Sequence, residues 1–153
     1  MLRIDPRLII GPLRAHDRDL LLRTIADRMV ALGYVKSTYP DAVVAREGEY
    51  PTGLPTDGAG VAIPHCDASQ VIVPTLAVAT LAEPVLFGAM GGGPAQVPVE
   101  VIIMLAINDP SAQLDVLRQI SNIVQNPALL RRLKHAGTDK EVIQVLREVG
   151  LAE

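Results

Sequence analysis

"VIIMLAI", residues Val101–Ile107, is an unbroken run of seven apolar residues, and "LAVATL", Leu76–Leu81, is nearly another. A strand with one wet face alternates polar and apolar positions. Runs without alternation fit strands covered on both faces. Two such strands need a covering layer on each side of their sheet, and the flanking sequence offers helices for both.

Before the apolar runs, Asp17 precedes Leu20, Leu21, Ile25, Met29 and Leu32 at helical spacing, and Gly33 stands where a C-terminal cap belongs. This predicts a helix over about 18–32. Thr38 and Pro40 open a second, continuing through Ala42–Glu49. Pro51, Gly53, Pro55, Gly58 and Gly60 punctuate a loop, and Val61–Ile63 reads as a short strand. "GAMGGGPAQ", Gly88–Gln96, separates the long strands as a loop or hairpin. Beyond them, Ser111–Gln125 carries Leu114, Leu117, Ile120 and Val124 on one face, with Ser111 as a candidate cap. Pro127–His135 and Asp139–Val149 read as two further helices, stopped by Gly137 and Gly150. Helices, strands, then helices give an α/β class protein. The expected architecture is a three-layer α/β/α sandwich with a mixed β-sheet, in one domain over 1–153.

The bulk properties remove several function classes. A net charge of −3 argues against nucleic acid or an anionic membrane surface as partner. One Phe, three Tyr and no Trp leave little for base stacking. No apolar run approaches the roughly 20 residues that span a bilayer, so direct membrane insertion is not expected. A lone cysteine fits a reducing, cytoplasmic setting.

The chemistry concentrates in "GVAIPHCD", Gly60–Asp67, where a short strand ends in a histidine, a thiol and a carboxylate. Neighbours on an extended chain point different ways, so these three do not converge on one ion. The other histidines, His16 and His135, are far away in sequence, and no HExxH or paired CxxC occurs. No metal site and no cofactor are expected. GxGxxG is absent, and Gly91–Gly93 lacks the lysine and hydroxyl of a phosphate loop, leaving a turn. Cys66 adjoins His65, but adjacency does not make the side chains face each other. A small buried residue is the plainer reading of Cys66.

His65 stays as the candidate nucleophile against the plain reading of a hydrogen-bonded histidine at a strand end. The Pro- and Gly-rich stretch leading through Pro64 fixes the backbone there, and loops carried on a rigid sheet often hold reactive groups. A neutral imidazole attacks phosphorus without a separate base, which suits a reversible phosphoryl carrier. Arg46 is the one arginine between Met29 and Leu117. The chain returning through Val61–Ile63 would bring it beside His65; a solvated helix residue is the alternative, and the sequence leaves both open.

The stretch "AREGEYPTGLPTDGAGVAIPHCD", Ala45–Asp67, resembles the active-site segment of enzyme IIA components of the sugar phosphotransferase system, in the fructose–mannitol class. The likeness extends through "VEVIIMLAI" and "AQLDVLRQISNIVQNPALLRRL", and "YPTGL" and "IPHCD" look most like the galactitol-type members. The resemblance implies that His65 accepts phosphoryl from the histidine phosphocarrier protein and passes it to a cysteine of an enzyme IIB. A membrane enzyme IIC would then move the sugar. It also implies that Arg46 steadies the phosphoryl group. Gln113 stands where mannitol- and fructose-type members carry a second histidine, as galactitol-type members also have it. Its amide can bond a phosphoryl oxygen but carries no charge. The loop before the long strand is often acidic in the class; here it is GAMGGGPAQ, a departure that bears on partner recognition. Two rivals come from the same resemblance: a regulatory, nitrogen-type enzyme IIA that binds partners by phosphorylation state, and an interaction domain that kept the fold without the chemistry. A hydrolase using Cys66 is a further one.

Overall fold

The computed structural model describes residues 2–153. Among them, five strands form one sheet: β1 (Ile9–Leu13), β2 (Gly53–Leu54), β3 (Gly60–Ala62), β4 (Thr75–Gly88) and β5 (Gln96–Ala106), in the order β1-β4-β5-β3-β2. β4 and β5 pair antiparallel through the middle, β1 joins β4 parallel, β3 joins β5 parallel, and β2 closes the edge antiparallel to β3. The sheet is mixed, as expected.

The unbroken apolar runs are explained by two separate cores. Along β4, Leu76 and Val78 enter one core while Ala77, Ala79 and Leu81 enter the other. Along β5, Val101, Ile103 and Leu105 face the first, and Ile102, Met104 and Ala106 the second. Helices α1 (Arg18–Ala31) and α2 (Tyr39–Glu49) cover one side. Helices α3 (Pro110–Val124), α4 (Pro127–Lys134) and α5 (Asp139–Glu148) cover the other. Each buried Leu or Ile contributes roughly 1.5–3 kcal/mol relative to exposure, so the two cores, not helix propensity, hold the layers.

Four local expectations are corrected. β1 has no counterpart in the sequence reading, because Gly11–Pro12 interrupts its apolar run; proline is tolerated there because β1 is an edge strand. β2 lies inside the Pro/Gly stretch read as loop. The cap of α3 is Asp109, whose carboxylate accepts from the Ser111 N–H at 3.3 Å and the Ser111 hydroxyl at 3.1 Å; Ser111 is inside the helix. Finally, the buried stripe of α3 is Val116, Ile120 and Ile123, whereas Leu114 is half exposed to solvent.

Parallel pairing of β3 with β5 positions the candidate site. Both strands run toward the same end of the sheet. β3 leaves through Pro64 and His65, and β5 leaves through Asn108 and Asp109 into the start of α3. The Leu105 N–H donates to the Pro64 carbonyl at 2.9 Å and ties the two exits together. At the far end of β4 and β5 the hairpin folds back over β2. Ala89 pairs with Gly53, and the Met90 N–H donates to the Gly53 carbonyl at 2.9 Å. Gly91, Gly92 and Gly93 all take φ near +90° at its tip, a conformation side chains rarely adopt.

Candidate active site

The site grows from the C-terminal turn of α2. Tyr39, Val43 and Glu47 are spaced four apart and point inward; Arg46, a hundred degrees round the helix, is half-buried. The Tyr39 hydroxyl donates to the Leu105 carbonyl at 2.7 Å, fastening α2 to β5. Burial pushes the Tyr39 phenol well above its usual range, so it stays a donor. The helix ends where the Tyr50 N–H donates to the Arg46 carbonyl at 2.7 Å, and the Arg46 guanidinium lies 4.6 Å over the Tyr50 ring.

Past Pro51, Thr52 makes three connections. Its N–H donates to Glu47 Oε2 at 2.7 Å, and its hydroxyl donates to Glu47 Oε1. Thr52 Oγ1 in turn accepts from the Ile63 N–H at 3.1 Å. Ile63 then meets the histidine: its carbonyl lies 2.8 Å from His65 Nδ1. A carbonyl has no proton to give. Nδ1 must carry the hydrogen, which leaves the Nε2 lone pair for chemistry.

His65 and Arg46 together line two adjoining hollows of about 380 and 400 Å³. Gln113, Asp109 and Leu114 line the first, placing the start of α3 opposite the imidazole. Tyr50, Met90, Gly91 and Glu49 line the second. All three residues picked out from the sequence, His65, Arg46 and Gln113, therefore border one depression. Arg46 is the one cation lining either hollow among the described residues, against the carboxylates of Asp67, Asp109 and Glu49. A phosphoryl dianion here would meet one strong attraction and several repulsions, so it would be held without being trapped.

Cys66 also lines the first hollow, and burial pushes its thiol up to about 11, with Asp67 adding to the shift. It is protonated at neutral pH and packs against the α1–α2 core. His16 and His135 are exposed and line neither hollow. His135 borders a separate hollow with Glu100, Arg131 and Lys134, where the Lys134 ammonium pairs with Glu100 at 3.4 Å. No three His, Cys, Asp or Glu side chains among the described residues gather as metal ligands would.

Glu47, Tyr50 and Thr52 lie in the stretch that carries the resemblance, but sequence reasoning gave none of them a role. A charged residue beside Arg46 reads as solvated, yet Glu47 is only 1% exposed. The signal was its position four residues after Val43 and eight after Tyr39, on the apolar stripe.

Compared with known proteins, residues 3–149 match the family model described as "Phosphoenolpyruvate-dependent sugar phosphotransferase system, EIIA 2". The chain belongs to this EIIA family. Over 117 residues it is 32% identical to the galactitol-specific EIIA component of Escherichia coli, covering 76% of this chain and 77% of that one. Over 109 residues it is 34% identical to a nitrogen regulatory protein of Pseudomonas aeruginosa, covering 70% and 66%. Among solved structures, the mannitol IIA of Escherichia coli superposes with a TM-score of 0.75 at 22% identity, covering 95% of this chain and 99% of that one. A complex of the mannitol enzyme IIA with phosphorylated enzyme IIB from the same organism gives 0.75 at 22% identity, covering 94% and 96%. These structures share the EIIA fold, the mixed sheet between two helical layers. No helix of this EIIA chain, among the described residues, is long and apolar enough to cross a membrane.

Proposed function

We propose that this EIIA chain is a phosphoryl carrier in which His65 Nε2 is the acceptor atom. The Nε2 lone pair attacks the phosphorus of the phosphohistidine on the histidine phosphocarrier protein. An N–P bond forms at His65 as the donor's N–P bond breaks. With Nδ1 still protonated the ring becomes formally cationic, and the Ile63 carbonyl accepts from it. That charge makes the imidazole a good leaving group. A cysteine thiolate of an enzyme IIB then attacks the same phosphorus, an S–P bond forms, and neutral His65 returns. Arg46 supplies charge and the Gln113 amide a hydrogen bond to the phosphoryl oxygens.

The observation that carries this reading is the hydrogen bond from Nδ1 to Ile63, which leaves Nε2 unengaged on a half-buried ring. The rim supports it too. Tyr50, Met90 and Leu114 bordering the two hollows are 56%, 45% and 50% exposed, an apolar collar suited to a docking protein. A galactitol-like sugar or sugar alcohol, carried by a membrane enzyme IIC that need never touch this chain, is the substrate class that the galactitol relative favours.

The test is incubation with phosphoenolpyruvate, the first enzyme of the system and the phosphocarrier protein. The parent chain takes up one acid-labile phosphoryl group at Nε2 of His65, and His65→Ala takes up none. Equal labelling of a folded His65→Ala variant overturns the assignment. The similarity to a nitrogen regulatory protein motivates a second reading, in which phosphorylation switches a binding partner. Onward transfer to a galactitol-type enzyme IIB separates the two: a phosphorylated chain that never discharges to such a partner fits regulation.

A further inference from the structure

Glu47 has no part in the transfer just described, yet both its carboxylate oxygens are engaged and its side chain is sealed from water. Burying a carboxylate is costly, and burial here raises its pKa even though Thr52 bonds oppose the shift. A leucine at the end of the Tyr39–Val43 stripe would fill that space more favourably. What the carboxylate adds is direction. It fixes the Thr52 hydroxyl as a donor toward Glu47, so that the oxygen's lone pairs face the Ile63 N–H. The Ile63 N–H is thereby pinned from one side, and the Leu105 N–H pins the next carbonyl, that of Pro64, at 2.9 Å. The Ile63 carbonyl between these two anchors is the group that bonds His65 Nδ1.

We infer that Glu47 and Thr52 are positioning residues that select the Nδ1–H tautomer of His65 and fix the imidazole relative to Arg46. Arg46 and Glu47 are consecutive on α2. One turns outward to the hollow and the other inward to Thr52, so a single dipeptide sets both the guanidinium and, through Thr52 and Ile63, the ring. In a histidine free in water neither ring nitrogen is pinned; here a carbonyl held at both flanks chooses for it. The inference rests on the reading of Nε2 as acceptor, but it concerns the resting protein and is measurable without any phosphoryl donor.

The test is long-range proton–nitrogen NMR of the His65 ring in uniformly ¹⁵N-labelled full chain, at a pH where the imidazole is neutral. The parent shows Nδ1–H. Thr52→Val keeps the shape and removes the hydroxyl; the ring is expected to populate Nε2–H substantially, with phosphoryl acceptance slowed about tenfold, the weight of one buried hydrogen bond. Thr52→Ser restores both tautomer and rate, which a merely space-filling role for the side chain would not predict. A folded Thr52→Val with the parent's tautomer pattern overturns the inference. Should Thr52→Val fail to fold, Glu47→Gln is read instead: a mixed tautomer supports the brace, an unchanged one overturns it. If His65→Ala is still labelled, the acceptor reading fails while the tautomer result stands on its own.

Discussion

The two sides of the sheet are built from different chemistry. The core under α3, α4 and α5 is aliphatic throughout, made of Val, Leu, Ile and Ala. The core under α1 and α2 borders a buried phenol, a buried carboxylate and a buried threonine, all directed at the exits of β3 and β5. Apolar packing is non-directional and tolerates small displacements. Hydrogen bonds fix angles and distances. Both cores supply stability, and α3 also brings Gln113 to the first hollow; what sets the α1–α2 side apart is its buried hydrogen bonds, which fix α2, bearing Arg46, and the backbone leading to His65.

The largest effect that would break this division is on stability. Leu146 on α5 is fully buried. Leu146→Ala is expected to cost about 2–5 kcal/mol, read as the shift in urea midpoint. Phosphoryl acceptance per folded molecule should stay at the parent's level, since α5 touches neither hollow. A loss of acceptance exceeding the unfolded fraction would show that packing under α5 also aims the site.

Arg46→Ala is the converse. Arg46 is half-buried and makes no ion pair among the described residues, and its guanidinium stacks over Tyr50, so stability should fall by no more than about 1 kcal/mol. Transfer should slow by roughly a hundredfold, the loss typical of one donor aimed at developing negative charge. Rapid-quench transfer from the phosphorylated carrier protein measures it. An unchanged rate removes Arg46 from the site.

The same division governs how much the sequence revealed. Both-face burial leaves a plain mark, since a strand in an all-apolar environment cannot alternate; Leu76–Leu81 and Val101–Ile107 could hardly be read otherwise. That His65 and Arg46 border one depression was legible as a candidate, because a histidine following proline at a strand end and an isolated arginine stand out in a chain otherwise poor in candidates. Asp109 was missed for a local reason: Asp109 and Ser111 flank Pro110, and either side chain can cap. The burial of Glu47 was missed for a tertiary one. Its carboxylate is satisfied by a threonine five residues on, and that threonine by a backbone N–H eleven residues further. No local propensity records such a chain of bonds; only its place on the Tyr39–Val43 stripe hints that it is inside. The hairpin tip at Met90 reaches the site by folding back over β2, which is likewise a consequence of tertiary pairing.

The smallest effect concerns Tyr50, which bears on aim and docking at once. Its ring lies under the Arg46 guanidinium, and more than half of it is open to solvent. A cation over an exposed ring is worth about 0.5–1 kcal/mol, so Tyr50→Leu should slow transfer by roughly two- to fivefold while Tyr50→Phe, which keeps the ring, should not. The partition of that loss is informative. If the ring serves mainly to hold Arg46, the loss falls on the maximal transfer rate, because the docked complex forms but its guanidinium wanders. If the ring serves mainly as part of the apolar collar, the loss falls on the carrier-protein concentration needed for half-saturation. The stacking geometry favours the first outcome. A Tyr50→Phe variant as slow as Tyr50→Leu would instead assign the effect to the hydroxyl and leave Arg46 positioned by α2 alone.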